Sequence, residues 1–381
     1  MGDSRAVVRV GVVGCGIGEV HIKAQLKLEQ QDPRSELAAV CDTNRNVVLK
    51  VSEAFTDLGL DFDAGSGFFT DYDQFLGAVD AVILAVPNDL HALYALAAID
   101  AGKHVLVEKP LAHTLEDATR IAKAAAAHPD LVVSMVMNNI YRRDFAQLME
   151  ALRDGMIGEV LEATAWWERG NGIPFRGRWF TQKARSGGGS LIDLGPHLLG
   201  LLFEVLGWEE PNMLHGYTWN LFRDGGGNGP YGGGTEAPYA PIDVDTRARA
   251  LLDINDVLVE CRTAWAMHTD RERFGLKLVG TRGTLEWTRL WPTNTGLDSE
   301  ARDGMWFVSN SYGGMVSRLM NDESPVDQDP LMGRETNSQN FARRCAGDDV
   351  PLLTVEQALL VSRTINAWYN SAMNGEEVSL F

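Results

Sequence analysis

Short apolar runs rich in β-branched residues, separated by helical stretches, fill the first third of this 381-residue chain. That alternation leaves few folds open. Val7–Val13, Glu36–Cys41, Ala81–Val86, His104–Glu108 and Leu131–Val136 read as strands. His21–Gln30, Leu90–Ala101 and Leu115–Ala127 read as helices, the second stopped by Gly102 and the third capped by Thr114. A run that is apolar at every residue is buried on both faces, so these strands imply a parallel sheet covered by helices on each side. Directly after the first run comes Gly11-Val-Val-Gly14-Cys-Gly16-Ile-Gly18. Glycines at such a junction allow a tight turn and let backbone N–H groups approach a pyrophosphate at the helix N-terminus. Gly18 arrives one residue earlier than in the usual G-x-G-x-x-G spacing, which implies a shorter turn. Gly14, Gly16, Ile17 and Gly18 are the expected contacts to a dinucleotide. The second strand ends at Asp42, where a carboxylate can accept hydrogen bonds from the ribose hydroxyls. It would repel a 2′-phosphate, which favours NAD. Arg45 lies close enough to offset that charge, so NADP stays open.

The pattern changes after residue 135. Phe145–Arg153 reads as a helix, and Val160–Trp167, Leu214–Leu221, Thr246–Leu252, Val257–Trp265, Phe274–Gly280 and Thr284–Leu290 read as strands. Strands gathered together with helices set apart suggest an α/β domain built on one large open, mostly antiparallel sheet. The expected division is a dinucleotide-binding domain at 1–134 and a substrate-binding and oligomerisation domain at 135–381. Arg223–Asp245, rich in Gly and Pro, reads as a long surface loop, either a plain insertion or a lid.

A formal net charge of -18 argues against nucleic-acid and anionic-membrane partners. No stretch approaches the roughly 20 apolar residues of a membrane span, and residues 1–9 lack the features of a signal peptide. Cys15, Cys41, Cys261 and Cys345 are scattered beside apolar segments, which fits buried free thiols in a reducing cytoplasm. No metal site is expected.

Two further segments carry chemistry. The first is Ala85-Val-Pro87-Asn88-Asp-Leu-His91, followed by Glu108-Lys109-Pro110; the second is Gly187-Gly-Gly-Ser-Leu-Ile-Asp193-Leu-Gly195-Pro-His197. Oxidation of a secondary alcohol sends a hydride to a nicotinamide and a proton to a base that titrates near neutrality, as histidine does. His197 follows Asp193 by four residues, one turn of a helix, so Asp193 can orient it or hydrogen-bond substrate. Lys109, at a strand C-terminus, can stabilise negative charge on the reacting oxygen.

With the glycine turn, these segments resemble the Gfo/Idh/MocA oxidoreductase family. The resemblance implies an N-terminal Rossmann domain and a catalytic set of Lys109, Asp193 and His197. It implies cofactor contacts from Pro87, Asn88, His91, Glu108 and Lys109, and a cis bond before Pro110. It also implies a sugar-like substrate and a homodimer or homotetramer. Asn138 is an expected substrate contact, and two residues on, where many members of that family carry an arginine, this chain has Ile140. Trp166, Arg176 and Trp179 are the remaining expected substrate contacts: aromatic faces stack on sugar C–H surfaces, and arginines bind hydroxyls or an anionic group. The reading is an NAD(P)-dependent enzyme that interconverts a ring secondary alcohol and ketone of a sugar, amino sugar or cyclitol. A non-catalytic dinucleotide sensor, and a lyase or glycosidase with a transient redox step, remain alternatives.

Overall fold

The computed structural model describes residues 7–57, 59, 67–174, 176–226, 240–269, 271–292, 302–311, 314–319 and 333–380. The chain forms two compact units: Met1–Tyr141 with Pro330–Leu359, and Arg142–Asp329 with Leu360–Phe381.

In the first unit, strands β1 (Val8–Val13), β2 (Ser35–Cys41), β3 (Phe68–Phe69), β4 (Ala81–Leu84), β5 (His104–Val107) and β6 (Val133–Met135) form a sheet in the order β3-β2-β1-β4-β5-β6. Every pair is parallel. This is the doubly wound order whose switch point, between β1 and β4, opens the ligand crevice at the strand C-termini. Helices α1 (Gly18–Gln31), α2 (Arg45–Asp57), α3 (Tyr72–Ala78), α4 (His91–Asp100) and α5 (Leu115–Ala127) connect the strands. Thr114 caps α5, accepting from the Asp117 N–H at 3.1 Å.

A late segment returns to this unit, which the expectations above do not include. Phe341 and Ala342 of α9 (Arg334–Cys345) join the core of Val10, Val12, Ile22, Leu26, Val40 and Ile83. Polar contacts tie the return down: Gln25 donates to the Ser338 carbonyl at 2.8 Å, Lys27 pairs with Glu335 at 2.7 Å, and Arg34 with Asp348 at 2.8 Å.

The second unit opens with α6 (Arg143–Arg153) and holds β7 (Val160–Glu168), α7 (Lys183–Ser186), α8 (Ser190–Leu206), β8 (Met213–Trp219), β9 (Arg247–Ile254), β10 (Val257–Ala264), β11 (Arg271–Gly280), β12 (Thr284–Pro292), β13 (Arg302–Ser311) and β14 (Gly314–Leu319). A final helix, α10, spans Val355–Asn374. The strand order is β14-β13-β12-β11-β7-β10-β9-β8. All pairs are antiparallel except β7 with β10, as the sequence suggested. Among the described residues, one helical stretch, Lys183–Leu206, is by length and composition apolar enough to cross a membrane; 78% of its apolar window is buried, as in a core helix. Of the long glycine-rich segment, 227–239 lies outside the described residues.

Candidate active site

In the first unit, the glycine turn leaves β1 and enters α1. Gly14 has φ +87, and a Cβ there would lie 2.4 Å from the Ala85 carbonyl oxygen, so only glycine fits. A Cβ on Gly16 would meet nothing within 4 Å, which leaves open space over the turn. Gly16 and Ile17 are exposed and Gly18 is buried, close against Val12. Asp42 reaches back to this turn: its carboxylate accepts the N–H of Cys15 and the N–H of Asn44, each at 2.8 Å. Each carboxylate oxygen retains acceptor capacity after one bond. Burial, and then the charge of Asp42, push the Cys15 thiol up to about 12, so it stays protonated and inert. Arg45 is exposed at the start of α2, with its guanidinium 5.7 Å from the Phe68 ring centroid.

Pro87 precedes a short 3-10 turn, Asn88–Leu90, that leads into α4. Asn88 and His91 are buried. His91 Nδ1 lies 2.7 Å from the Pro110 carbonyl oxygen and Nε2 lies 2.9 Å from that of Val86. A neutral imidazole can donate to only one of them. Burial nonetheless outweighs both carbonyls and lowers the pKa of His91, favouring the neutral ring. The ring thus links the 3-10 turn to the Lys109-Pro110 segment, whose peptide bond is cis as the resemblance implied.

The Glu108 carboxylate is fully engaged inside the unit. It meets His21 Nε2 at 3.0 Å and Arg334 Nε at 3.8 Å, and it accepts the Lys109 N–H at 3.1 Å. Burial works to raise its pKa, but the His21 hydrogen bond and the charges of Arg334, His21 and Lys109 outweigh it and hold it well below the usual carboxylate range. Glu108 therefore fixes the backbone of Lys109 rather than offering its side chain to a ligand. His21 and Arg334 were not foreseen: one lies on α1, the other on the late return. Asn138 is fully buried in the first unit, its carbonyl packed where Gly333 lacks a Cβ.

In the second unit, Asp193 and His197 lie on α8, buried on one face. Pro196 removes the backbone bond that residue 196 would otherwise give to Ile192. Asp193 Oδ2 accepts the Trp265 indole N–H at 2.8 Å and lies 4.0 Å from Arg169 Nη1. The Glu272 carboxylate holds both neighbours: Oε1 accepts from Trp167 Nε1 at 2.7 Å and from Arg169 Nε at 3.2 Å. Trp167 packs on the His197 ring, with centroids 5.3 Å apart.

The start of α8 is built by a carboxylate distant in sequence. Asp245 accepts the N–H groups of Gly189 and Leu191 at 2.8 and 2.9 Å, the Ser190 hydroxyl at 2.9 Å and the Tyr369 hydroxyl at 2.7 Å. Burial, with Asp245, raises the Tyr369 pKa, so its hydroxyl stays a donor. Two of the three glycines before the helix exist for this contact: a Cβ on Gly188 would lie 2.1 Å from the Tyr369 hydroxyl, and one on Gly189 would lie 1.8 Å from the Asp245 carbonyl oxygen.

Two expected substrate contacts sit elsewhere. Successive strand residues point to opposite faces, so Trp166 faces away from His197; it packs on Gly275 and under Arg262. Its neighbour Trp167 occupies the face expected of it. The Arg176 guanidinium donates through Nη2 to the backbone carbonyls of Phe222 at 2.9 Å and Arg223 at 3.0 Å, while its buried Nε has no hydrogen-bond partner among the described residues. Trp179 remains part-exposed, 4.2 Å from Phe180, which in turn packs edge-on to Trp265. Among the described residues, no group of three or more His, Cys, Asp or Glu is placed to hold a metal ion.

Residues 8–136 match the model of an oxidoreductase family with an NAD-binding Rossmann fold, named GFO/IDH/MocA, and residues 145–286 match that family's C-terminal domain. The chain is 26% identical to a D-glucoside 3-dehydrogenase of Escherichia coli, over 98% of this chain and 97% of that one. It is 30% identical to a putative UDP-kanosamine synthase oxidoreductase subunit of Amycolatopsis mediterranei, over 73% and 74% of the two. A solved levoglucosan dehydrogenase in complex with NADH has the same fold, with TM-score 0.80 at 19% identity over 98% of this chain and 99% of that one.

Proposed function

This chain belongs to the Gfo/Idh/MocA oxidoreductase family, and on that premise we propose that it interconverts a ring secondary alcohol and its ketone in a sugar, amino sugar or cyclitol, with NAD as redox partner. The observation that carries the reading is the second unit's buried pair: Asp193 and His197 one turn apart on α8, the carboxylate bonded to Trp265 and the imidazole packed at a tilt against Trp167. The first unit has the matching cradle, with open space over Gly16 and an acid, Asp42, pinned to the turn. That acid favours NAD over NADP by its charge. When bound, the nicotinamide supplies the hydride acceptor. Pro87, Asn88 and His91 would help to hold it, and Glu108 sets the backbone of Lys109.

His197 takes the proton of the substrate hydroxyl in one direction and returns it in the other. The Asp193 carboxylate, held by an indole N–H, orients the hydroxyls of the ring. The Lys109 ammonium stabilises the oxygen while it carries negative charge. The dehydrogenases among the relatives, acting on D-glucosides and levoglucosan by name, support this class of substrate.

The test is absorbance of reduced nicotinamide during incubation with NAD or NADP and a panel of sugars and cyclitols. Reduction that disappears in His197→Ala is the expected result. A panel in which no compound reacts, despite measured dinucleotide binding, would favour a sensor. Glycoside cleavage without net reduction would favour a lyase or glycosidase.

A further inference from the structure

Asp193 is held at its backbone and at its side chain, and both holds lead to the same two adjacent residues. The Asp245 carboxylate accepts the Gly189 N–H at 2.8 Å, and the Gly189 carbonyl accepts the Asp193 N–H at 3.1 Å. The Asp193 carboxylate accepts the Trp265 indole N–H at 2.8 Å, and the Trp265 backbone N–H donates to the Thr246 carbonyl at 2.9 Å. Thr246 follows Asp245 in the chain, so these residues close a ring of hydrogen bonds. Bonds joined in this way polarise one another and rigidify the groups they connect. Ser190 braces the ring: its N–H donates to the Asp245 carbonyl at 2.9 Å, and its hydroxyl lies 3.2 Å from that of Thr263. Asp193, Asp245 and Thr246 are all buried, so water competes little for these bonds.

We propose that Asp245 is a positioning residue for the reaction: by fixing the first turn of α8, it sets the place of Asp193 and, one turn on, of His197. This role rests on the oxidoreductase reading above and adds a residue to it. The carboxylate is already spent on protein donors. Oδ1 accepts from Gly189 and from the Tyr369 hydroxyl, and Oδ2 accepts from Leu191 and from the Ser190 hydroxyl. A carboxylate offers about four acceptor sites, so Asp245 acts through the groups it holds. Thr246, carried by the same backbone, holds Trp265 and through it the Asp193 side chain. Placement of this kind has a large effect on rate, since a displacement of about 1 Å can cost on the order of 10²-fold. An amide cannot replace the carboxylate, because its NH2 group would face two donors.

The experiment is a double-mutant cycle between Asp245→Asn and Asp193→Ala. It reads kcat at saturating NAD with the sugar or cyclitol that the unmodified enzyme oxidises fastest, and single-turnover traces serve for the slow variants. Melting curves set a temperature at which every variant is folded. The expected result is a loss of about tenfold or more for Asp245→Asn in the unmodified background. In Asp193→Ala the same change should cost less than about threefold, because the group that Asp245 places is already gone. NADH affinity, by fluorescence titration, should stay within about a few-fold throughout the cycle. An equal factor in both backgrounds overturns the proposal, since a general loss of intact protein multiplies through each variant alike. Unchanged kcat in Asp245→Asn overturns it as well. If Asp245→Asn does not fold, Tyr369→Phe takes its place: it removes one donor, and its loss of about threefold should vanish in Asp193→Ala. The same two outcomes then overturn the role. Failure of the oxidoreductase reading looks different: the unmodified protein turns over no compound, or its turnover survives His197→Ala, and the proposal falls with the reading.

Discussion

His197 owes its surroundings to strands far from it in sequence. Trp167 on β7 packs at a tilt against the ring, Trp265 just past β10 holds Asp193, and Glu272 on β11 steadies Trp167 and Arg169. The Asp193–His197 spacing was visible in the sequence because a helix brings residues four apart onto one side. Their partners were not, because only sheet pairing brings residues 167, 265 and 272 together. The surroundings of Arg176 were hidden for a similar reason: an arginine beside a catalytic segment suggests a ligand, and nothing local reveals that its Nη2 donates to the carbonyls of Phe222 and Arg223. With His197→Ala, turnover should fall by roughly 10²- to 10⁴-fold, the usual worth of a general acid–base, while dinucleotide affinity stays within a few-fold. Steady-state rates and a fluorescence titration with NADH measure the two quantities separately. Unchanged turnover would remove His197 from the chemistry.

At the scale of elements, the first unit was legible almost throughout, since buried parallel strands announce themselves as unbroken apolar runs. Five of its six strands end within a residue or two of where the sequence placed them, whereas β3, α2 and α3, between Cys41 and Ala81, were not read. The late helix α9 escaped notice because its residues are largely polar; few of them, Phe341 and Ala342 among them, enter the core. The origin of α8 was also hidden. Gly188 and Gly189 are a close fit to Tyr369 and Asp245, residues that lie far away in sequence. Asp245→Ala would leave two amides and two hydroxyls without their acceptor in a buried place. Stability should drop by about 3 kcal/mol or more, adding a lost cap to orphaned donors. Tyr369→Phe removes one donor and should cost about 1 kcal/mol. Urea denaturation midpoints of the two variants give the comparison, and equal midpoints would mean that the cap does not hold the helix.

For the whole molecule, two buried groups contribute to the response to acid, beside the part-buried His104, whose pKa burial also lowers. Glu108 is held below its unfolded pKa of about 4.3, so the stability it contributes is full above that pH and is lost as pH falls further. His91 is also lowered, from an unfolded value near 6.5. Between the two values the unfolded chain binds a proton that the folded one refuses, so stability declines once pH drops below about 6.5. Melting temperatures from pH 8 to pH 4 should show an early decline that shrinks in His91→Asn and a later one that shrinks in Glu108→Gln. A flat profile down to pH 5 in the unmodified protein would contradict the role of His91. The outer face of the second sheet bears on assembly: Tyr217, Trp219, Leu251 and Leu258 are exposed there, around Trp166. Exposed apolar patches of this kind mark interaction surfaces, and a self-complementary one closes most simply as a dimer. Sedimentation should give twice the 41.8 kDa chain mass or more, with Leu251→Glu and Leu258→Glu together shifting it toward the monomer. A monomeric unmodified protein would rule out that face as an interface.

The return of α9 to the first unit has a consequence for the order of biosynthesis. Domains usually fold as the ribosome releases them, the N-terminal one first. Here the dinucleotide-binding half is left without Phe341, Ala342 and the Arg334 partner of Glu108 until all of Arg142–Asp329 has been translated. A nascent chain therefore carries an unfinished core through most of its synthesis, and a premature stop anywhere before residue 334 would yield a polypeptide unable to complete either its core or the support beneath Lys109. Such a chain presents exposed apolar surface to chaperones and proteases, so quality control acts before cofactor can be retained.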